Sequence, residues 1–252
     1  MDQQQGENKL SKKQQKKLAK KEKQKEYFKE KKIQKKQIRK QQKQEQKSNI
    51  VVDDDNKIHN QERQHKKPRE QYQEEMKNGI KIIIDLQFMS QMTIHEKTSL
   101  YKQIELCHSN NFKSKKPLNL IVTSLTEDFK QLLNKSNASN WGIELNEKPY
   151  IDLFKKEDLV YLTGDTEDVI DELNQEEVYI IGGLVDHNRL KLITYNKAIE
   201  QGIKTKKLPI NLNLKTSSIL TVNQVFEILL RRNNGEDWND SVQNTIPKRK
   251  LL

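Results

Sequence analysis

The sequence predicts an α/β domain built on a mainly parallel sheet with helices on both faces. Three observations carry this. After about residue 78, apolar runs of strand length such as Ile82-Ile83-Ile84 and Val178-Tyr179-Ile180-Ile181 alternate with longer amphipathic stretches, as expected of strand–helix units whose strands are buried on both sides. The run at 178–181 stops at Gly182-Gly183 and leads directly into Leu184-Val185-Asp186-His187-Asn188-Arg189. This reads as a buried strand feeding a loop at the sheet edge where open α/β folds bind ligands. Finally, the roughly 170 residues beyond that point suffice for one domain with a real core.

Taken in order, residues 1–50 form a Lys/Gln-rich arm. Their composition favours helix, but Leu10, Leu18, Tyr27, Phe28, Ile33 and Ile38 keep no steady heptad. A solvated basic helix or a disordered arm is expected. Residues 51–78, with Asp53-Asp54-Asp55 and Pro68, read as a polar linker, helical near its end. The folded part is expected over 79–252. Ile82–Ile84 is its first strand and ends at Asp85. A helical pattern covers 92–110, a second strand 118–122, and a helix follows at 127–133, capped by Thr126. A turn at 137–141 precedes a third strand at 158–162 and a helix at 166–173 capped by Thr166. The fourth strand is 178–181. A helix at 195–201 is stopped by Gly202, a short fifth strand spans 206–210, the longest helix covers 220–232 and a last one 236–245.

Charge is distributed unevenly. Of the 47 lysines and arginines, 18 fall in residues 1–50 against 6 acidic residues, whereas the remainder holds 29 against 30. The net charge of +11 therefore belongs to the arm, which suits phosphate contact with RNA; a solubilising or import tail is the blander reading. One cysteine, Cys107, leaves no basis for a disulfide framework or a cysteine-based zinc site. With no signal peptide and no apolar run near the ~20 residues that span a bilayer, a soluble protein of the nucleus or cytoplasm is expected. No Gly-x-Gly-x-x-Gly lies between a strand and a helix, which disfavours a Rossmann dinucleotide site. The histidines His59, His65, His95, His108 and His187 are too scattered for a metal, and no metal is expected.

Several stretches in fixed order resemble the Trm10-type tRNA (purine-9, N1) methyltransferases of the SPOUT superfamily. They are YLTGDTEDVIDEL (161–173), YIIGGLVDHNRLK (179–191), LPI (208–210) and LTVNQVFEILL (220–230), with IIIDLQFMSQM (82–92) and KQIELCHSN (102–110) upstream and WNDSVQNTIPKRK (238–250) downstream. The residues alone favour an unknotted doubly-wound sheet. The resemblance instead implies a C-terminal trefoil knot that holds S-adenosylmethionine, with the loops at 162–165, 183–191 and 208–222 meeting in space. It also implies a monomer acting on tRNA.

The same resemblance assigns site residues. Asp186, in the Gly-Gly-Leu-Val-Asp motif, is the candidate acceptor for the proton on N1 of guanine; as a bare residue it is equally a loop aspartate. The cofactor residues are Leu162, Thr163, Gly183, His187, Asn188, Arg189, Lys191, Leu208, Leu220, Thr221 and Val222. Gly182 and Gly183 are expected to let the backbone approach the cofactor. Asp85, Gln103 and Lys207 are the candidate substrate residues. Asp165 is a weaker candidate carboxylate. Lys204, Lys206, Lys248, Arg249 and Lys250 could extend a basic face. The chain departs from the family at Asn111-Phe112, where an arginine is usual, and at Lys191-Leu192-Ile193-Thr194, where Leu192 replaces a glycine. It departs again at Thr216-Ser217-Ser218 and at Lys206-Lys207. The expected activity is methyl transfer from S-adenosylmethionine to N1 of guanosine at tRNA position 9. The rivals are a non-catalytic RNA-binding protein that keeps the fold and a ribosome-assembly factor that uses the arm alone.

Overall fold

The computed structural model describes residues 22–24, 26, 27, 30, 31, 34, 37, 68–134, 138–186, 189–210 and 219–247. Most of the arm, residues 51–67, His187, Asn188, 211–218 and the cluster Lys248-Arg249-Lys250 lie outside the described residues. The chain divides into two units, Met1–His65 and Lys66–Leu252. In the first, the described residues are helical and exposed, and Lys31 Nζ lies 5.0 Å from the ring centre of Tyr27.

The second unit is a six-stranded sheet. Its strands are β1 (Lys81–Asp85), β2 (Asn119–Thr123), β3 (Glu144–Leu145), β4 (Leu159–Leu162), β5 (Val178–Gly182) and β6 (Lys204–Lys206), in the order β3-β2-β1-β5-β4-β6. Every pairing is parallel. The long apolar runs follow from burial on both faces. Ile82, Ile84, Leu120, Val122, Val160, Leu162, Tyr179 and Ile181 point into one core, and Ile83, Ile121, Leu159, Tyr161, Val178 and Ile180 into the other. The alternation is the two-residue period of a strand.

The first core is closed by α2 (Ile94–Lys113), α3 (Glu127–Asn134), α5 (Val222–Asn233) and α6 (Trp238–Thr245). The second is closed by Tyr150 on a single 3-10 turn, by Ala198 on α4 (Ile193–Gln201), and by Ile203. Local chemistry sets the helix ends. Thr93 and Glu96 form a reciprocal capping box on α2, with the Glu96 carboxylate accepting the Thr93 N–H at 2.7 Å. Gly202 takes φ +61° after α4, a left-handed stop that glycine allows without steric cost.

Three expectations are corrected. No helix occupies 166–173. That stretch is irregular with a single bridge at Val169, because its backbone is used by the edge of the sheet: Ile170 N–H donates to Lys207 O at 3.0 Å and Lys207 N–H to Asp168 O at 2.7 Å. The fifth predicted strand lies two residues earlier, as β6, with only a single bridge from Lys207 to Val169. The longest described helix is α2, of 20 residues, against 12 for α5. The segment read as a linker with a helix near its end does hold one, α1 (Arg69–Lys77), whose Tyr72 and Met76 are buried in the folded unit. Tyr72 OH accepts the Asn111 side-chain N–H at 3.1 Å, and the ring of Phe112, which stands where the family has arginine, packs edge-on against Tyr72 with centroids 5.0 Å apart, so both residues hold α1 in place.

Candidate active site at the carboxyl edge of the sheet

β1, β4, β5 and β6 all end on one edge, and the loops that leave it carry most of the site residues read from the sequence. β5 ends in Gly182, and the next residue donates its N–H to Asp85 O at 2.8 Å. A Cβ on Gly183 would lie 2.7 Å from that same oxygen, so glycine is required there by the approach of β1. The atoms crowding Gly183 belong to the Asp85 backbone and the Leu86 side chain.

The loop then turns. Val185 N–H meets Met92 Sδ at 3.3 Å, and Leu190 N–H donates to Asp186 Oδ2 at 2.7 Å. Arg189 N–H donates to Asp186 O at 3.1 Å. Asp186 thus organises its own turn, in addition to any part in chemistry. The Arg189 guanidinium is exposed and reaches Gln91 O at 3.0 Å and the Glu96 carboxylate at 3.6 Å. Leu192, where the family glycine is absent, sits in the left-handed region at φ +59° immediately before α4.

Leu162, Leu208 and Val222 are buried, and Leu184, Ile210 and Leu220 pack half-buried against the same cluster. Three loops distant in sequence therefore contribute to one apolar wall. Thr163 adds a hydroxyl that accepts from Thr194 Oγ1 at 3.2 Å, tying the β4 loop to α4. Asp165 stays beside it, its N–H donating to Thr163 Oγ1 at 3.3 Å. Thr221 is exposed at the start of α5.

The three candidate substrate residues are separated. Gln103 is buried, and its side-chain oxygen accepts the Val222 N–H at 2.9 Å, which fixes where α5 begins. Lys207 is on the surface, paired with Glu167 at 2.8 Å. That lysine pulls the Glu167 carboxyl below its ordinary range. Asp85 is 0% exposed. It accepts from Lys197 Nζ, from Tyr161 OH at 3.2 Å, from Ser124 OH at 3.1 Å and from Gln87 N–H at 3.1 Å. Burial lowers the Lys197 ammonium pKa, while the Asp85 charge opposes the shift. Tyr161 is pushed well up, first by burial and then by the Asp85 charge.

Sequence reasoning missed Lys197, Tyr161 and Ser124. The available signal was an acid terminating an otherwise apolar strand, since a buried carboxylate demands a cation nearby. A cavity of about 460 Å³ opens beside Lys197, lined by Gln87, Phe88, Gln91, Leu190, Lys191, Ile193, Asn196 and Glu200; Lys191 is the one predicted cofactor residue in it. Among the described residues no group of His, Cys, Asp and Glu could hold a metal ion, and no helix is long and apolar enough to cross a membrane.

Comparison with known proteins places this arrangement. The family profile of tRNA (guanine(9)-N(1))-methyltransferase TRM10/TRM10A matches residues 8–251. The tRNA (guanine(9)-N1)-methyltransferase of Schizosaccharomyces pombe is 41% identical over 179 residues, covering 68% of this chain and 59% of that protein. The tRNA methyltransferase 10 homolog A of Xenopus tropicalis is 39% identical over 176 residues, covering 68% and 53%. The chain thus spans little more than half the length of these relatives. The crystal structure of full-length spTrm10 in complex with SAH superposes with a TM-score of 0.62 at 40% identity, covering 67% of this chain and 95% of that one. The dual-specific Trm10 of Thermococcus kodakaraensis, 21% identical with a TM-score of 0.55, shares the fold. On these matches the chain belongs to the TRM10/TRM10A family of tRNA (guanine(9)-N(1))-methyltransferases.

Proposed function

We propose that this protein transfers a methyl group from S-adenosylmethionine to N1 of the guanosine at position 9 of tRNA, as the name of its family describes. One observation carries the reading: the Gly-Gly-Leu-Val-Asp loop leaves β5 beside an apolar wall assembled from the β4, β6 and α5 loops. The relative spTrm10 was crystallised with SAH. The residues here fit such a group. Leu162, Leu208, Leu220 and Val222 offer apolar sides for an adenosine, and the hydroxyls of Thr163 and Thr194 offer polar contacts next to them. When bound, the cofactor supplies a methyl group already activated by a sulfonium charge.

The protein's own part is to hold the purine and deal with a proton. N1 of guanine loses its hydrogen as it gains the methyl group. A carboxylate within hydrogen-bond reach accepts or steers that proton. Asp186 is the residue for this, its carboxylate anchored on the Leu190 amide. In the same reading His187 and Asn188, with Arg189 and Lys191, contact cofactor or tRNA phosphate, and the loops at 162–165, 183–191 and 208–222 meet in a C-terminal trefoil knot. The protein works as a monomer, in the nucleus or cytoplasm, and the basic arm of residues 1–50 holds the tRNA body.

The test is Asp186→Asn in the full chain. SAH affinity, measured by calorimetry, is expected to match the wild type while kcat for position-9 methylation falls by about 10²-fold or more. Undiminished kcat would remove Asp186 from the chemistry, and absence of any SAH binding by the wild type would remove the methyltransferase reading.

A further inference from the structure

The loop that carries Asp186 is tied at both ends to one residue. At its entry, Gly183 N–H donates to Asp85 O at 2.8 Å. At its exit the chain enters α4, and Lys197 on that helix reaches back to Asp85 Oδ2. Burying this pair is expensive, because both ions lose their water and a well-packed apolar pair is often no less stable. Yet the site is built around it. The Asp85 side chain is 0% exposed and that of Lys197 is 10% exposed. The ammonium lies 5.1, 4.8 and 5.9 Å from the ring centres of Phe88, Tyr150 and Tyr161. Ser124 is held at φ +56°, a strained region for a residue with a Cβ, and its hydroxyl donates to Asp85 Oδ1 at 3.1 Å. Such strain persists where the surroundings over-determine a conformation, and it clusters at functional sites.

We propose that Asp85 and Lys197 are positioning residues: they clamp the described segments 183–186 and 189–192 so that Asp186 is set for the reaction, and they act on turnover rather than on cofactor affinity. The proposal rests on the methyltransferase reading. With Asp85 fully enclosed, its contribution passes through the loop rather than through contact with the purine.

The test compares the full-length wild type with the double variant Asp85→Asn, Lys197→Met. Lys197→Met alone would leave a buried charge unpaired and could unfold the protein. The double variant is neutral: its amide oxygen can still accept from Ser124 OH and Gln87 N–H, which both reach Asp85 Oδ1, and its amide N–H can donate to Tyr161 OH at the Oδ2 position. Hydrogen exchange is followed at Gly183, Arg189 and Leu190, whose N–H groups are bonded within the loop or to Asp85. Their protection is expected to fall while that of Ile83 and Val122 in the sheet is retained. SAH affinity and KM for tRNA should stay at wild-type values, with kcat lower by about 100-fold, the scale at which a small misplacement of a reacting group is felt. Unchanged loop exchange would overturn the proposal. So would exchange rising equally in loop and sheet, or a kcat loss matched by lost SAH affinity, since each describes a core prop. If the wild type binds SAH but methylates nothing, the functional reading fails on its own, and the exchange result still decides whether the clamp exists.

Discussion

Leu192 shows how one residue can carry a local conflict. A side chain at left-handed φ costs roughly 1–2 kcal/mol, and Leu192 holds φ +59°. Leu192→Gly is therefore expected to leave stability unchanged or raise it by up to about 1 kcal/mol, measured by urea unfolding; in an ordinary extended loop the same change would destabilise. Gly183→Ala should go the other way. Its Cβ would meet Asp85 O at 2.7 Å and Leu86 Cδ2 at 3.0 Å, and forcing such overpacking costs about 1–3 kcal/mol. His108 gives a pH signature. It stacks on Trp141 at 4.8 Å, and its Nδ1 is buried without a hydrogen-bond partner. Burial, then the nearby Arg69 charge, lowers its pKa from 6.5 to about 4. The unfolded chain thus takes up this proton first, and stability contributed by neutral His108 is lost as pH falls from 6.5 towards 4. Thermal melting of His108→Phe across that range should show a smaller loss than the wild type; an equal loss would exclude His108 as the cause. The Leu192 conflict and the Gly182-Gly183 break could be read from the sequence. The Asp85–Lys197 pair could not, because its partners lie 112 positions apart and a lysine on a helix normally reads as solvated surface.

At the scale of elements, the strands were legible because burial on both faces writes a continuous apolar run, and their starts and ends fell within a few residues. The failure at 166–173 has a physical cause. Thr166, four acids and a few apolar positions suit a capped helix locally, but the chain after the edge strand β6 offers backbone partners that the isolated segment lacks, and tertiary pairing prevails. Trp238 Nε1 also donates to Asp171 O at 2.6 Å, and Arg232 pairs with Glu172, so α5 and α6 hold the stretch against the sheet edge. The two-residue strand β3 went unseen because it has almost no pattern to read. Gln103 gives a prediction at this scale. Gln103→Leu removes the acceptor for the Val222 N–H, leaving a buried donor unpaired at the start of α5. The expected cost is about 1–3 kcal/mol, read as a lower melting temperature; an unchanged melting temperature would mean that another group caps that amide.

Across the whole molecule charge is unevenly divided. The basic excess resides in residues 1–50, and the remainder is close to neutral. If the arm supplies the phosphate contacts, its deletion should weaken tRNA binding and flatten the dependence of affinity on salt, since fewer counterions are released. SAH binding should be unaffected. An unchanged salt slope would place the RNA contacts on the folded unit. The fold class and the loop that carries Asp186 were both legible, because composition and apolar period report burial directly. A meeting of the loops was to be expected only through resemblance, since periodicity does not encode how distant segments meet. The most direct measurement uses the full chain, labelled S-adenosylmethionine and an unmodified tRNA transcript with guanosine at position 9, the methylated base being located by primer extension. The account predicts a stop at position 9 that weakens strongly with Asp186→Asn; a protein that binds SAH yet leaves position 9 unmethylated would contradict it.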